Sequence, residues 1–152
     1  MPDTIRKRNL DTLKARLEES KLFTWGVDPS VNFGKVTYKK TELPAISIFA
    51  RSESTSRTDY GTDSNALIID IGALMLVPRI DGDGAKENVF DLSELTRGEL
   101  ISAAVTANFG DLANKFEYTG SDVEYPADED QALVVNITCL LEYETAYNNP
   151  YK

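Results

Sequence analysis

The chain has no histidine and only one cysteine among its 152 residues. Without histidine it lacks the usual general base at neutral pH, the commonest metal ligand and any Ser-His triad, so enzyme readings start poorly. A lone Cys139 excludes an internal disulfide and a cysteine metal cluster, which suits a reducing compartment. No phosphate-cradling G-x-x-x-x-G-K-[ST] or G-x-G-x-x-G occurs. The longest apolar run, Ala66 to Val77, is too short to cross a bilayer and is broken by Asp70. No apolar segment follows the charged start Met1 to Arg8, so no signal peptide is expected, and the protein reads as soluble and made in a cytosol. Asn136-Ile137-Thr138 matches a glycosylation acceptor but falls inside an expected strand and is discounted. Asp81-Gly82-Asp83-Gly84 suggests calcium, yet in the EF-hand spacing the required glycine falls on Lys86 and the closing glutamate on Leu92, which leaves a flexible turn.

Basic charge is also scarce. The formal net charge of −9 argues against binding nucleic acid through phosphates. Its distribution is uneven: residues 1–60 carry 11 basic and 8 acidic side chains, and residues 61–152 carry 5 and 17. Such polarity suits stacked or head-to-tail association of like subunits, and equally reflects a basic helix and acidic loops. Asp122 with Glu124 and Glu142 with Glu144 each project from one face of a strand, where a glycosidase could use a carboxylate pair; a solvated sheet face accounts for them more simply.

What is present points to one α+β domain over residues 1–152: a mostly antiparallel mixed sheet of four to five strands, two helices and long polar loops. Leu67, Ile69, Ile71, Ala73, Met75 and Val77 share one uninterrupted apolar face, and the opposite face is largely apolar too. This strand therefore belongs inside the sheet, with a helix as the simplest cover for its second face. Residues 3–22 read as a helix capped by Asp3, with a narrow stripe of Ile5, Leu10, Leu13 and Leu17. Val31 to Lys39 and Leu43 to Arg51 read as strands, with Ile46, Ile48 and Ala50 on one side. Ser52 to Ser64 has one aromatic and no aliphatic residue, so it is expected to be a long mobile loop that orders against a partner. Asp91-Leu92-Ser93-Glu94 looks like a capping box opening a helix to about Asn108, stopped by Gly110. Phe116 to Tyr125 reads as a strand with a bulge at Thr119-Gly120-Ser121. Ala132 to Glu144 reads as another, with Leu133, Val135, Ile137, Cys139, Leu141 and Tyr143 facing the core. Residues 146–152 read as a loose tail.

In this order the features resemble the tail-terminator proteins of long-tailed phages, the minor tail protein U type of phage lambda. The resemblance rests on Leu43-Pro44-Ala45-Ile46-Ser47-Ile48-Phe49, the polar stretch with its acidic segment Asp59 to Asp63, the strand ending Val77-Pro78, Asp91-Leu92-Ser93-Glu94-Leu95, and the closing Leu141-Glu142-Tyr143-Glu144. It spans roughly residues 5–145 and departs in a longer loop after Pro78 and an extra C-terminal tail. It implies a virion protein without enzymatic activity or cofactor, assembled in the host cytoplasm as a homohexameric ring at the head-proximal end of the tail. Such a ring caps the tail tube, ends its polymerisation, and joins a head-completion or connector protein. Genome DNA passes through without specific binding, and no membrane is involved. The resemblance implies a tail-tube or subunit interface at Arg51, Glu53, Arg57, Asp59, Tyr60, Asp63 and Asp91, and an acidic lumen turn at Asp128, Glu129 and Asp130. The alternatives are a head-tail connector, a terminator of a contractile tail or tail-like particle, a small carboxylate or metal-dependent enzyme, and a cellular binding module.

Overall fold

The computed structural model describes residues 3–19, 30–58, 60–75, 85–126 and 132–152. The first helix, α1 (Ile5–Glu19), opens at Thr4, whose Oγ1 accepts the Lys7 N–H at 3.1 Å. Thr4, not Asp3, is thus the cap, because a capping acceptor sits two or three residues before the amide it satisfies. Asp3 instead lies 3.6 Å from the Lys7 ammonium. Ile5, Asn9, Leu13 and Leu17 are buried at a four-residue spacing, a stripe one side chain wide. Asn9 holds its place in that stripe by donating to the Leu112 carbonyl at 2.9 Å.

Five strands follow the order β1-β2-β3-β5-β4: β1 (Ser30–Phe33), β2 (Ala45–Arg57), β3 (Thr62–Met75), β4 (Lys115–Glu124) and β5 (Leu133–Ala146). β1 runs parallel to β2 and every other neighbouring pair is antiparallel, so the expected α+β class holds. The expected strand from Val31 to Lys39 ends early. At Gly34 the backbone takes φ +63°, a left-handed conformation glycine adopts freely, and the chain leaves the sheet.

β3 is central, paired along its length by β2 and β5, and Leu67, Ile69, Ile71, Ala73 and Met75 are all buried. With Ile46, Ile48, Ile137, Cys139 and Leu141 they form the core against α1 and α2 (Ala85–Val105). The helices contribute Leu13, Leu17, Leu100, Ala103 and Ala104 to this same core. Both helices thus lie on one face of the sheet, and among the described residues the expected helical cover of the second face is not observed. On that second face the segment after Gly34 covers Ser47, which donates to the Lys35 carbonyl at 2.6 Å and is hydrogen-bonded to the Tyr38 hydroxyl. Ile68, Asp70 and Leu74 beside it stay half-buried, as do Val134 and Leu140 opposite them.

α2 begins at Ala85, six residues ahead of the expected cap, so Asp91 sits exposed within the helix and caps nothing. Its buried side is Ser93, Thr96, Leu100, Ala103 and Ala104, a three-four spacing that leaves Leu95 and Val105 outside. The small hydroxyls of Ser93 and Thr96 let the helix approach the sheet at positions an apolar pattern alone does not mark. Ser93 Oγ satisfies itself on the Phe90 carbonyl at 2.7 Å and Thr96 Oγ1 lies 3.1 Å from the Met75 sulfur. The helix stops at Val105, ahead of Gly110. Phe109 then turns inward to pack on Phe116 with ring centroids 5.0 Å apart.

β4 does carry the expected bulge, its register shifting between Tyr118 and Gly120. The six residues of β5 expected to face the core are all buried. Among them, burial and, secondarily, the nearby Asp70 carboxylate push the Cys139 thiol up to about 12.

Candidate functional site

The stretch Ser52 to Ser64 is not a mobile loop. β2 continues to Arg57 and β3 starts at Thr62, so the described residues here form a hairpin, in which Gly61 takes φ +74° and the Thr58 N–H reaches the Thr62 carbonyl at 2.9 Å. Lack of aliphatic residues was a poor guide because the hairpin is held by backbone ladders and hydroxyl pairs, not by burial. A bulge at Arg51, between Ala50 and Ser52, marks where it leaves the body of the sheet. Ala50, on the same side of the strand as Ile46 and Ile48, is exposed there.

Among the described residues, β1 pairs with β2 only as far as Ile48, and β4 pairs with β5 only as far as Glu142. Past those points the sheet narrows to three strands, with Arg51–Arg57 as one edge. At the usual rise per residue this arm is roughly 20 Å long.

On the helix side the arm carries a polar network. Thr55 Oγ1 donates to Asn65 Oδ1 at 2.7 Å, and Asn65 Nδ2 donates to Thr145 Oγ1 at 3.1 Å. Asn65, Asp63, Thr145 and Tyr143 are all buried. The Tyr143 hydroxyl donates to the Glu53 carboxylate, whose other oxygen lies 3.7 Å from Arg6 on α1. Burial first, then that bond, push the Tyr143 phenol far above its ordinary value.

The C-terminal residues, expected to be loose, tie this network down. Tyr147 N–H donates to the Gly61 carbonyl at 3.0 Å, Asn148 N–H to Asp63 Oδ2 at 3.1 Å, and the Ile5 N–H to the Pro150 carbonyl at 2.9 Å. Arg57 stacks its guanidinium 3.4 Å over the Tyr147 ring, with its Nε 3.8 Å from Asp63. Asn148 allows the reversal by taking φ +52°. Residues 147–152 thus form a hook joining the hairpin tip to the start of α1.

Of the interface residues implied by the resemblance, Arg51, Glu53, Arg57, Tyr60 and Asp63 all lie on the arm. Arg51 Nε pairs with Asp70 at 2.9 Å on the sheet face away from the helices, and Thr138 donates to the same carboxylate at 2.9 Å. Tyr60 projects from the tip, 92% exposed. Asp91 is on α2, apart from the others, and Asp59, Asp128, Glu129 and Asp130 lie outside the described residues. Asn65, Thr145, Tyr147 and Asn148 escaped notice; a lone Asn in front of an apolar strand was the available signal for the first. Asp122, Glu124, Glu142 and Glu144 share the open sheet face by register, with only Glu142 partly covered.

Where β1 ends, between α1 and the newly free edge of β2, lies an open cleft of about 400 Å³ lined by Lys7, Leu10, Phe33, Ile48, Phe49 and Ala50. Among the described residues no group of three or more acidic or cysteine side chains is placed to hold a metal, and no helix is long and apolar enough to cross a membrane. The described residues present an exposed strand edge, an apolar cleft at its foot and an acidic sheet face. No protein-family model matches the chain, and comparison with curated proteins finds no match.

Proposed function

We propose that this chain is a structural assembly protein, a phage tail terminator whose copies form a homohexameric ring on the tail tube. It ends tube polymerisation and presents the surface to which the head-completion or connector protein joins. The observation that carries the reading is the arm: a three-stranded extension with an exposed edge, braced by the C-terminal hook and tipped by Tyr60. Exposed edges invite pairing with another chain, and natural folds usually cover or blunt them unless they are used. The uneven charge supports the same reading, since a basic first half and an acidic second half are complementary between neighbouring copies. A ring repeats each small contact around its circumference, so contacts weak in a pair become strong together.

In this reading the tip of the arm meets the tail-tube protein, genome DNA threads the ring without sequence-specific contact, and the protein resides in the virion at the head-proximal end of the tail. The test is to add the purified protein to polymerising tail-tube protein and measure tube lengths by electron microscopy. Capping gives short tubes with density at one end. Replacing residues 57–61 with a minimal two-residue turn should spare folding and abolish capping. Unchanged tube lengths with the intact protein would refute the reading, and binding to portal-bearing heads instead would favour a head-tail connector.

A further inference from the structure

We infer that the free edge of β2, Ala50 to Arg57, is the seat for β4 of a second copy, with Tyr125 of that copy entering the cleft between α1 and β2. This rests on the ring reading and specifies its subunit contact. Three independent observations converge on it.

The first is topology. β2 and β4 are the long outer strands of one sheet, and the pairings make them antiparallel to one another. A neighbouring copy set beside this one in the same orientation therefore brings an antiparallel β4 to β2 and continues the sheet, a head-to-tail contact that closes into a ring. β1 occupies the lower part of the β2 edge only to Ile48, so the incoming strand belongs above it, beside Ala50 to Arg57.

The second is the cleft. It opens on the helix side at the foot of that free edge, its walls are mostly apolar, and Lys7 stands at its mouth. Tyr125 directly follows β4, is 53% exposed, and by strand alternation points to the helix side, since Glu124 before it faces the open side. An exposed aromatic with a polar tip suits an apolar slot with a cation at its rim.

The third is charge. The edge Arg51–Arg57 holds two arginines and one glutamate, and β4 holds three carboxylates and one lysine. With Tyr125 beside Ala50, antiparallel alternation places Glu124 next to Arg51 on the open face. Past the extra residue at the Arg51 bulge, Asp122 then lies opposite Ser54, both exposed and on the same face.

The register is tested by mixing the full-length Ser54→Cys and Asp122→Cys proteins under mild oxidation; Cys139 is fully buried and does not compete. A cross-linked dimer should form in the mixture and in neither variant alone, and a chain carrying both substitutions should give a ladder of covalent oligomers. Tyr125→Ala should weaken self-association about tenfold, as for one aromatic anchor removed from an interface, without changing the circular dichroism spectrum. If the unmodified protein forms oligomers by mass in solution but the mixture yields no cross-link and Tyr125→Ala associates normally, the edge contact is refuted while the ring reading stands. If no oligomer forms at any concentration, alone or on tail tubes, both are refuted.

Discussion

At the scale of single residues, the polar side chains inside the fold are the ones whose removal is most informative. Asn65 sits buried between Thr55 and Thr145, and Asn65→Leu would orphan both hydroxyls; a loss of about 1–3 kcal/mol is expected, read as a lower denaturation midpoint. Gly72 is a second such position. A methyl group there would meet the Asn136 amide oxygen at 2.5 Å, so the Asn136 side chain must move, and Gly72→Ala should lower the melting temperature. Cys139 makes a pH prediction. Its folded value near 12 exceeds its ordinary value of 9.0, so its contribution to stability is complete below pH 9 and is lost as pH rises toward 12. Urea midpoints measured between pH 8 and 11 should fall more steeply for the natural chain than for Cys139→Ala, and native Cys139 should resist alkylation. The inward set of β5, Cys139 included, was legible because every second residue from Leu133 to Tyr143 is apolar, with Asn136, Thr138 and Glu142 between them. Asn9 and Asn65 were not, since their burial depends on partners distant in sequence, Leu112 and Thr145.

At the scale of elements, the strands of the core were readable from period two, and the errors fall where a different force decides. α2 extends upstream of the Asp-x-x-Glu pattern that looked like its start, because a capping signature inside a helix is only four residues that a turn or a helix can both accommodate. Its contact with the sheet runs through Leu100 and the small residues around it, so Leu100→Ala should cost about 2–5 kcal/mol while Leu95→Ala is nearly neutral; paired chemical denaturation curves distinguish the two. The arm was misread because its stability comes from ladders on both sides of β3 and from the hook, neither of which shows in local composition. Removing residues 148–152 deletes the bonds from Pro150 to Ile5 and from Asn148 to Asp63. Amides of residues 60–66 and of the first turn of α1 should then exchange faster, with the core of β3 unchanged; equal protection throughout would show that the hook holds nothing.

At the scale of the whole molecule, the described residues place both helices on one face of the sheet and leave most of the other without a helix, and the narrowing from five strands to three leaves a long edge exposed among them. Neither feature was visible in the sequence, where the apolar second face of β3 implied a covering helix. Ile68, Leu74, Val134 and Leu140 instead half-cover one another across β3 and β5 on a face also carrying Asp122, Glu124 and Glu144. In the proposed reading, a chain arranged this way acts through the surfaces it presents to other chains, including other copies of itself. That claim is met most directly by the mass of the full-length protein in solution, measured by sedimentation across protein concentrations with and without tail-tube protein. The expected result is a species six times the chain mass of 16.9 kDa, formed alone or on tube ends. A monomer under every condition, with no association with tube ends, would contradict it.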